Sequence, residues 1–317
     1  MPEENEKFEA YLKDLFEKKS ISHVYGKWEE ERIKSKGAEL FSCVFPLEEG
    51  APTIVFIPGT SIYALCYAEL LYSLYEKGFN VVSFDPRGQG RSTGVPGDYT
   101  IMEHVEDAKA AARYARERFK GKVFVMGSSQ GGIEAFYLAA TPDPEADGVI
   151  CHNIADLPSS ESIRLTRFGP PNRMTALHGL MSRLMVPFMN FAGSVMPGLR
   201  VPIPFYLDLK AEKMEPYGDA WTFIKEDPLA LTSITMRAFS SIATTPLPRP
   251  PEEIDIPVLV LHSTGDEIFP EDYVRSLYER LTCDKEIKVY EGLPHLITIE
   301  YVDRIVPGVA LWVDARS

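Results

Sequence analysis

The sequence predicts an α/β protein with a mostly parallel central sheet flanked by helices. Three observations carry that reading. Short β-branched apolar runs recur at Thr53–Ile57, Phe79–Phe84, from Val123, at Gly148–Asn153, Ile256–Ser263 and Glu286–Tyr290. Helical patterns fall between them, including Met102–Phe119 and the segment up to Ala140. Most runs end at glycine, proline or a small polar residue, the punctuation expected at strand ends.

Taken in order, Glu4–Lys19 places Phe8, Leu12, Leu15 and Phe16 at helical spacing among charges, which predicts an amphipathic helix lying on the outside of a domain. Residues 1–26 therefore read as a helical extension. Lys27–Phe45 alternates loosely around Lys36-Gly37 and predicts an antiparallel hairpin at a sheet edge. Thr53–Ile57 runs into Pro58-Gly59-Thr60, and Phe79–Phe84 into Asp85-Pro86-Arg87-Gly88-Gln89-Gly90-Arg91-Ser92.

The stretch Gly127-Ser128-Ser129-Gln130-Gly131 interrupts an apolar strand and opens an Ala-rich helix. Glycine two residues before and two after a serine removes bulk on both sides, as a tight strand-to-helix turn demands. Ser129 would stand clear of the sheet, with the Gln130 N–H facing developing negative charge at the helix start.

Residues 27–155 and 251–317 read as the two parts of one core. Between them, 156–250 has a different character, with Met174, Met181, Met185, Met189, Met196, Met214 and Met236 among many prolines. Polarizable methionines suit an adaptable apolar surface, and the prolines predict short helices rather than a sheet layer. The segment reads as a helical cap inserted after the sixth strand. Leu184–Tyr206 is apolar, but Pro187, Pro197, Pro202, Pro204 and Arg200 argue against a spanning helix. Cap core is the first reading of that span, and contact with a lipid surface is the second.

Composition excludes several functions. At 317 residues, 45% hydrophobic and 25% charged, the chain is an ordinary globular protein. A net charge of −13 and a pI near 5.0 leave no basic surface for nucleic acid. Cys43, Cys66, Cys151 and Cys283 are scattered and read as free thiols, with neither a disulfide frame nor a metal site. Gly88 and Gly90 do not make a dinucleotide fingerprint, because position 93 is threonine and Pro96 follows. Chemistry without a cofactor is expected. The segment from Met1 to Lys7 is acidic and lacks a basic-then-apolar pattern, so a cytoplasmic protein is expected.

With Gly127-x-Ser129-x-Gly131, then Gly265-Asp266, then Pro294-His295 in that order, the sequence resembles the α/β-hydrolase family, most closely its capped esterase and lipase members. The resemblance implies Ser129 as nucleophile, His295 as general base, and Asp266 as the carboxylate orienting it. It implies an oxyanion hole from the N–H groups of Gln130 and, in the loop after Ile57, Thr60. Asp156 and Glu267 remain alternative acids. The implied reaction is hydrolysis of a hydrophobic carboxylic ester through an acyl-enzyme. Thioester hydrolysis, carbon–carbon cleavage and a non-catalytic ligand-binding fold are the alternatives.

Overall fold

A computed structural model describes the backbone of residues 2–169 and 176–317, with side chains from residue 6 onward except those of 170–178, 181 and 182. Met174 and the side chains of His178 and Met181 thus lie outside the described residues.

The first helix, α1 (Pro2–Lys18), buries Phe8, Leu12, Leu15 and Phe16. Strands β1 (Glu29–Ser35) and β2 (Ala38–Phe45) form the antiparallel hairpin, closed by Gly37 at φ +78°. Strand β3 (Thr53–Ile57) leads through α2 (Ala68–Glu76) to β4 (Asn80–Phe84), and α3 (Ile101–Phe119) leads to β5 (Val123–Ser128). Helix α4 (Gln130–Ala139) then returns the chain to β6 (Gly148–His152).

After β6 come α5 (Ala176–Val195), β7 (Arg200–Pro202), α6 (Ala220–Glu226), β8 (Ser233–Thr235) and α7 (Met236–Thr244). The chain re-enters the sheet at β9 (Val258–Ser263), followed by α8 (Glu271–Arg280) and β10 (Lys285–Tyr290). It ends in α9 (Ile297–Glu300) and α10 (Val302–Asp314).

The main sheet has eight strands in the order β1-β2-β4-β3-β5-β6-β9-β10. Strand β2 runs antiparallel to both neighbours, and β3 to β6, β9 and β10 pair in parallel. Alternation along the strands builds two cores. Ile54, Phe56, Phe124, Met126, Leu259 and Leu261 face α1, α2 and α10, whereas Val55, Ile57, Val123, Val125, Val258 and Val260 face α3, α4 and α8. Both faces are covered, which is why these strands read as unbroken apolar runs.

The 156–250 segment differs from expectation in two ways. Helix α5 is 20 residues long with Pro187 inside it, and β7 pairs with β8 as a two-stranded antiparallel ribbon. Proline deletes one backbone donor but does not end a helix whose packing continues past it. Here α5 lies on α7, and Gly193 permits the approach, since a Cβ there would sit 2.7 Å from Ser240 Cβ.

Asp227, buried at the C-terminal end of α6, accepts hydrogen bonds from Tyr11 of α1, from Tyr63 before α2, and from the N–H groups of Leu229 and Ala230. A buried carboxylate is tolerable only when so partnered.

Helix α3 starts with a complete capping box: Thr100 Oγ1 accepts from the Glu103 N–H and Glu103 Oε2 accepts from the Thr100 N–H. Thr100→Ala is expected to cost about 1 kcal/mol and to lower the thermal midpoint by about 2–4 °C, measured by calorimetry.

Candidate active site

Three strand ends supply the site. At the end of β5 the chain reverses into α4 within one residue, and that residue, Ser129, adopts φ +55° and ψ −118°. The turn is that tight because the backbones touch. A Cβ at Gly127 would lie 1.9 Å from the Gly131 carbonyl oxygen, and one at Gly131 would lie 2.3 Å from that of Ile57. Only glycine fits at either place.

The Ser129 N–H donates to the His152 carbonyl at 3.1 Å, pinning the turn to β6. Its Oγ lies 2.9 Å from His295 Nε2, and His295 Nδ1 lies 2.7 Å from Asp266 Oδ2. His295 leaves the loop after β10, and Asp266 leaves the loop after β9. The geometry thus brings Ser129, His295 and Asp266 into one hydrogen-bonded line. Among the described residues no hydrogen bond joins Asp156 or Glu267 to His295; the N–H of Asp156 donates to Tyr273 Oη.

Asp266 is enclosed and fully employed. Its Oδ1 accepts from the N–H groups of Ile268 and Phe269, each at 2.9 Å, and its Oδ2 also accepts from Asn153 Nδ2 at 2.8 Å. Burial works against its charge, but the adjacent His295 and these donors prevail and hold it well below the usual carboxylate range. The His295 imidazole is pushed down by burial, yet the Asp266 charge and hydrogen bond outweigh that and raise it above the ordinary histidine value.

The Gln130 and Thr60 N–H groups meet no protein acceptor among the described residues. Their side chains meet each other, with Thr60 Oγ1 donating to Gln130 Oε1 at 2.7 Å. Pro58 offers no N–H, and the Gly59 N–H donates to Tyr67 Oη at 3.0 Å.

Residues that the sequence did not single out surround this line. Asn153, held at φ +68°, joins Asp266 to His262, whose Nδ1 lies 2.9 Å from Asn153 Oδ1. Its only sequence signal was its place at the end of β6. His152 lies against His295 with ring centroids 5.2 Å apart, and burial next to His295 pushes its pKa down to about 3. Among the described residues, His152, Asp266 and His295 are the one group with donor atoms gathered closely enough for a metal, within 4.8 Å of one another. Two of those atoms already bond each other. Asp85 and Arg87 hold loops, Asp85 accepting from the N–H groups of Ala64 and Arg91, and Arg87 pairing with Asp107 at 2.6 Å.

Above Ser129 opens a cavity of about 310 Å³, lined by apolar side chains that include Ile133, Leu157, Met189, Phe205, Phe223 and Phe239. No Asp, Glu, Lys or Arg lines it among the described residues.

A profile of the family described as "Serine aminopeptidase, S33" matches residues 49–301, most of the chain. The chain belongs to this family. It is an α/β-hydrolase of the esterase and lipase type. The bifunctional esterase/perhydrolase DCH of Acinetobacter calcoaceticus is 29% identical over 77% of this chain and 85% of its own length. A monoglyceride lipase homolog of Monkeypox virus is 25% identical over 83% of this chain and 90% of its own. The crystal structure of Paleococcus ferrophilus monoacylglycerol lipase superposes with a TM-score of 0.67 at 25% identity, covering 88% of this chain and all of that one. A soluble variant of monoglyceride lipase from Saccharomyces cerevisiae, at 18% identity and a TM-score of 0.69, shares the fold. Among the described residues no helix is long and apolar enough to cross a membrane.

In an NMR titration, His295 is expected to protonate above the ordinary value of about 6.5, and Asp266→Asn should move it downward. His152 should stay neutral down to about pH 3.

Proposed function

We propose that this hydrolase is a serine enzyme that cleaves carboxylic esters of hydrophobic substrates through an acyl-Ser129 intermediate. The observation that carries the reading is the line Ser129–His295–Asp266 at the floor of an apolar, uncharged cavity. A serine hydroxyl is a weak nucleophile at neutral pH, so it needs an aligned base. In the proposed sequence His295 Nε2 takes the Ser129 proton as Oγ attacks the ester carbonyl. The N–H groups of Gln130 and Thr60 stabilise the oxyanion, each worth roughly a hundredfold to a thousandfold in rate. Collapse of that intermediate expels the alcohol, which His295 protonates, and water then releases the acid by the same steps. Asp266 holds the imidazole tautomer throughout.

Aminopeptidase activity, which the family description suggests, fits less well. An α-ammonium group needs a counter-charge, and the described lining of the cavity has no carboxylate. Thioester hydrolysis and carbon–carbon cleavage would use the same three residues, so graded ester and thioester panels separate them.

Residues 156–250 act in this proposal as a cap that selects the acyl group, since Met185, Met189, Phe205 and Phe223 all line the cavity. The outer face of α5 supports contact with a lipid surface. Leu180, Leu184, Phe188, Phe191 and Val195 recur at helical spacing and are exposed, Phe188 and Phe191 by about two thirds. Phe168, Phe188 and Phe205 are both exposed and part of the cavity lining, so the apolar surface runs into the cavity mouth.

Ser129→Ala is expected to lower turnover of medium-chain p-nitrophenyl esters by about 10⁴-fold or more with an unchanged fold, and to abolish labelling by a fluorophosphonate. Retained turnover or labelling would refute the mechanism. In flotation with phosphatidylcholine vesicles, Leu184→Gln with Phe191→Gln should weaken association and leave hydrolysis of a short soluble ester unchanged. Equal flotation of both proteins would count against lipid contact.

A further inference from the structure

Five polar side chains outside the Ser129–His295–Asp266 line, four buried and Thr60 half-buried, form a continuous chain ending at the turn. Gln130, the residue after the proposed nucleophile, uses every polar atom of its amide. Its Nε2 donates to Glu134 Oε1 at 2.8 Å, and its Oε1 accepts from Tyr99 Oη at 3.1 Å and from Thr60 Oγ1 at 2.7 Å.

Glu134 is itself fixed. Its Oε1 also meets His104 Nδ1 at 2.8 Å, while His104 Nε2 lies 3.1 Å from the Arg87 carbonyl oxygen. Both ring nitrogens of His104 thus face oxygen atoms, and although burial pushes the imidazole down, the adjacent Glu134 raises it above the ordinary histidine value. The Tyr99 ring stacks on it with centroids 4.0 Å apart. Gln130, Glu134, Tyr99 and His104 are all buried. Because Glu134 Oε1 takes the Gln130 NH₂, the carbonyl end of the amide faces Thr60.

We infer that the side chain of Gln130 is a positioning group for the oxyanion hole, tying the Thr60 loop to the start of α4 so that the two backbone N–H donors stay at a fixed separation. This rests on the proposed roles of Ser129 and of the two donors. The loop needs such a tie. Ser61 next to Thr60 is at φ +74°, and the loop is also held by the Gly59 bond to Tyr67, by the Leu231 N–H donating to the Ser61 carbonyl and, further on, by Tyr63 donating to Asp227. The hydrogen-bonded pair of His104 and Glu134 acts through Gln130, because neither lines the cavity.

The test is a double-mutant cycle on Thr60 and Gln130, read in kcat, KM and thermal midpoint with a medium-chain p-nitrophenyl ester. Thr60→Val keeps the shape and the backbone N–H but loses the hydroxyl. It should lower kcat about tenfold, part of the full cost of losing a donor, with KM changed by no more than about twofold. Thr60→Ser, which keeps the hydroxyl, should recover most of the rate. Gln130→Leu should lower kcat similarly, and the double variant should be no slower than the worse single, because both break one bond. Full kcat in Thr60→Val, no recovery in Thr60→Ser, or losses that multiply would overturn the inference. If Gln130→Leu does not fold, the Thr60→Val and Thr60→Ser pair decides alone. Ser129→Ala separates the levels: an inactive Ser129→Ala beside a fully active Thr60→Val removes the tie and leaves the hydrolase, whereas an active Ser129→Ala removes both.

Discussion

The site depends on backbone contact at the β5–α4 turn. Gly127, Gly131 and Gly132 lie so close to neighbouring main chain that a methyl group on any of them would meet a carbonyl oxygen within about 2.3 Å. That contact forces Ser129 into a left-handed conformation which an ordinary residue adopts at a cost of order 1–3 kcal/mol. The strain is held by the sheet on one side and α4 on the other. Because β5 sits between β3 and β6, the same contact sets the turn against both the Thr60 loop and the end of β6. Position along the sheet then does the rest, delivering His295 and Asp266 from the ends of β10 and β9.

Four buried histidines near this turn show how environment, not residue type, decides protonation. His295 is held up by a carboxylate, His152 is driven down by burial beside another imidazole, and His262 is lowered mainly by burial while it bonds an amide. His104 is pushed down by burial and pulled up further by Glu134. One composition count, six histidines, conceals these different states.

The sheet was legible in the sequence because strands buried on both faces leave unbroken apolar runs, and Thr53–Ile57 is observed at the same limits at which it is read. The Ser129 turn was legible because glycine spacing has a steric cause. The placement of Asp266 and His295 came through motif order, which periodicity alone does not supply. The polar chain from Thr60 to His104 was not legible: its members are common residue types spread over 75 positions, and nothing local marks them as partners. Asn153 escaped for the same reason. Residues 156–250 were read in composition rather than in detail, since proline content says where donors are missing and not whether packing carries a helix past the gap, as it does at Pro187.

Asp227 joins parts of the molecule that the chain order keeps far apart. It closes α6, whose Phe223 and Ile224 form one wall of the cavity, and it is held from the other side by Tyr11 of the first helix. The amino-terminal helix is therefore a foundation of the cavity wall as well as a cover for the sheet. A change at Tyr11 would thus reach the shape of the cavity wall without touching a single residue of its lining.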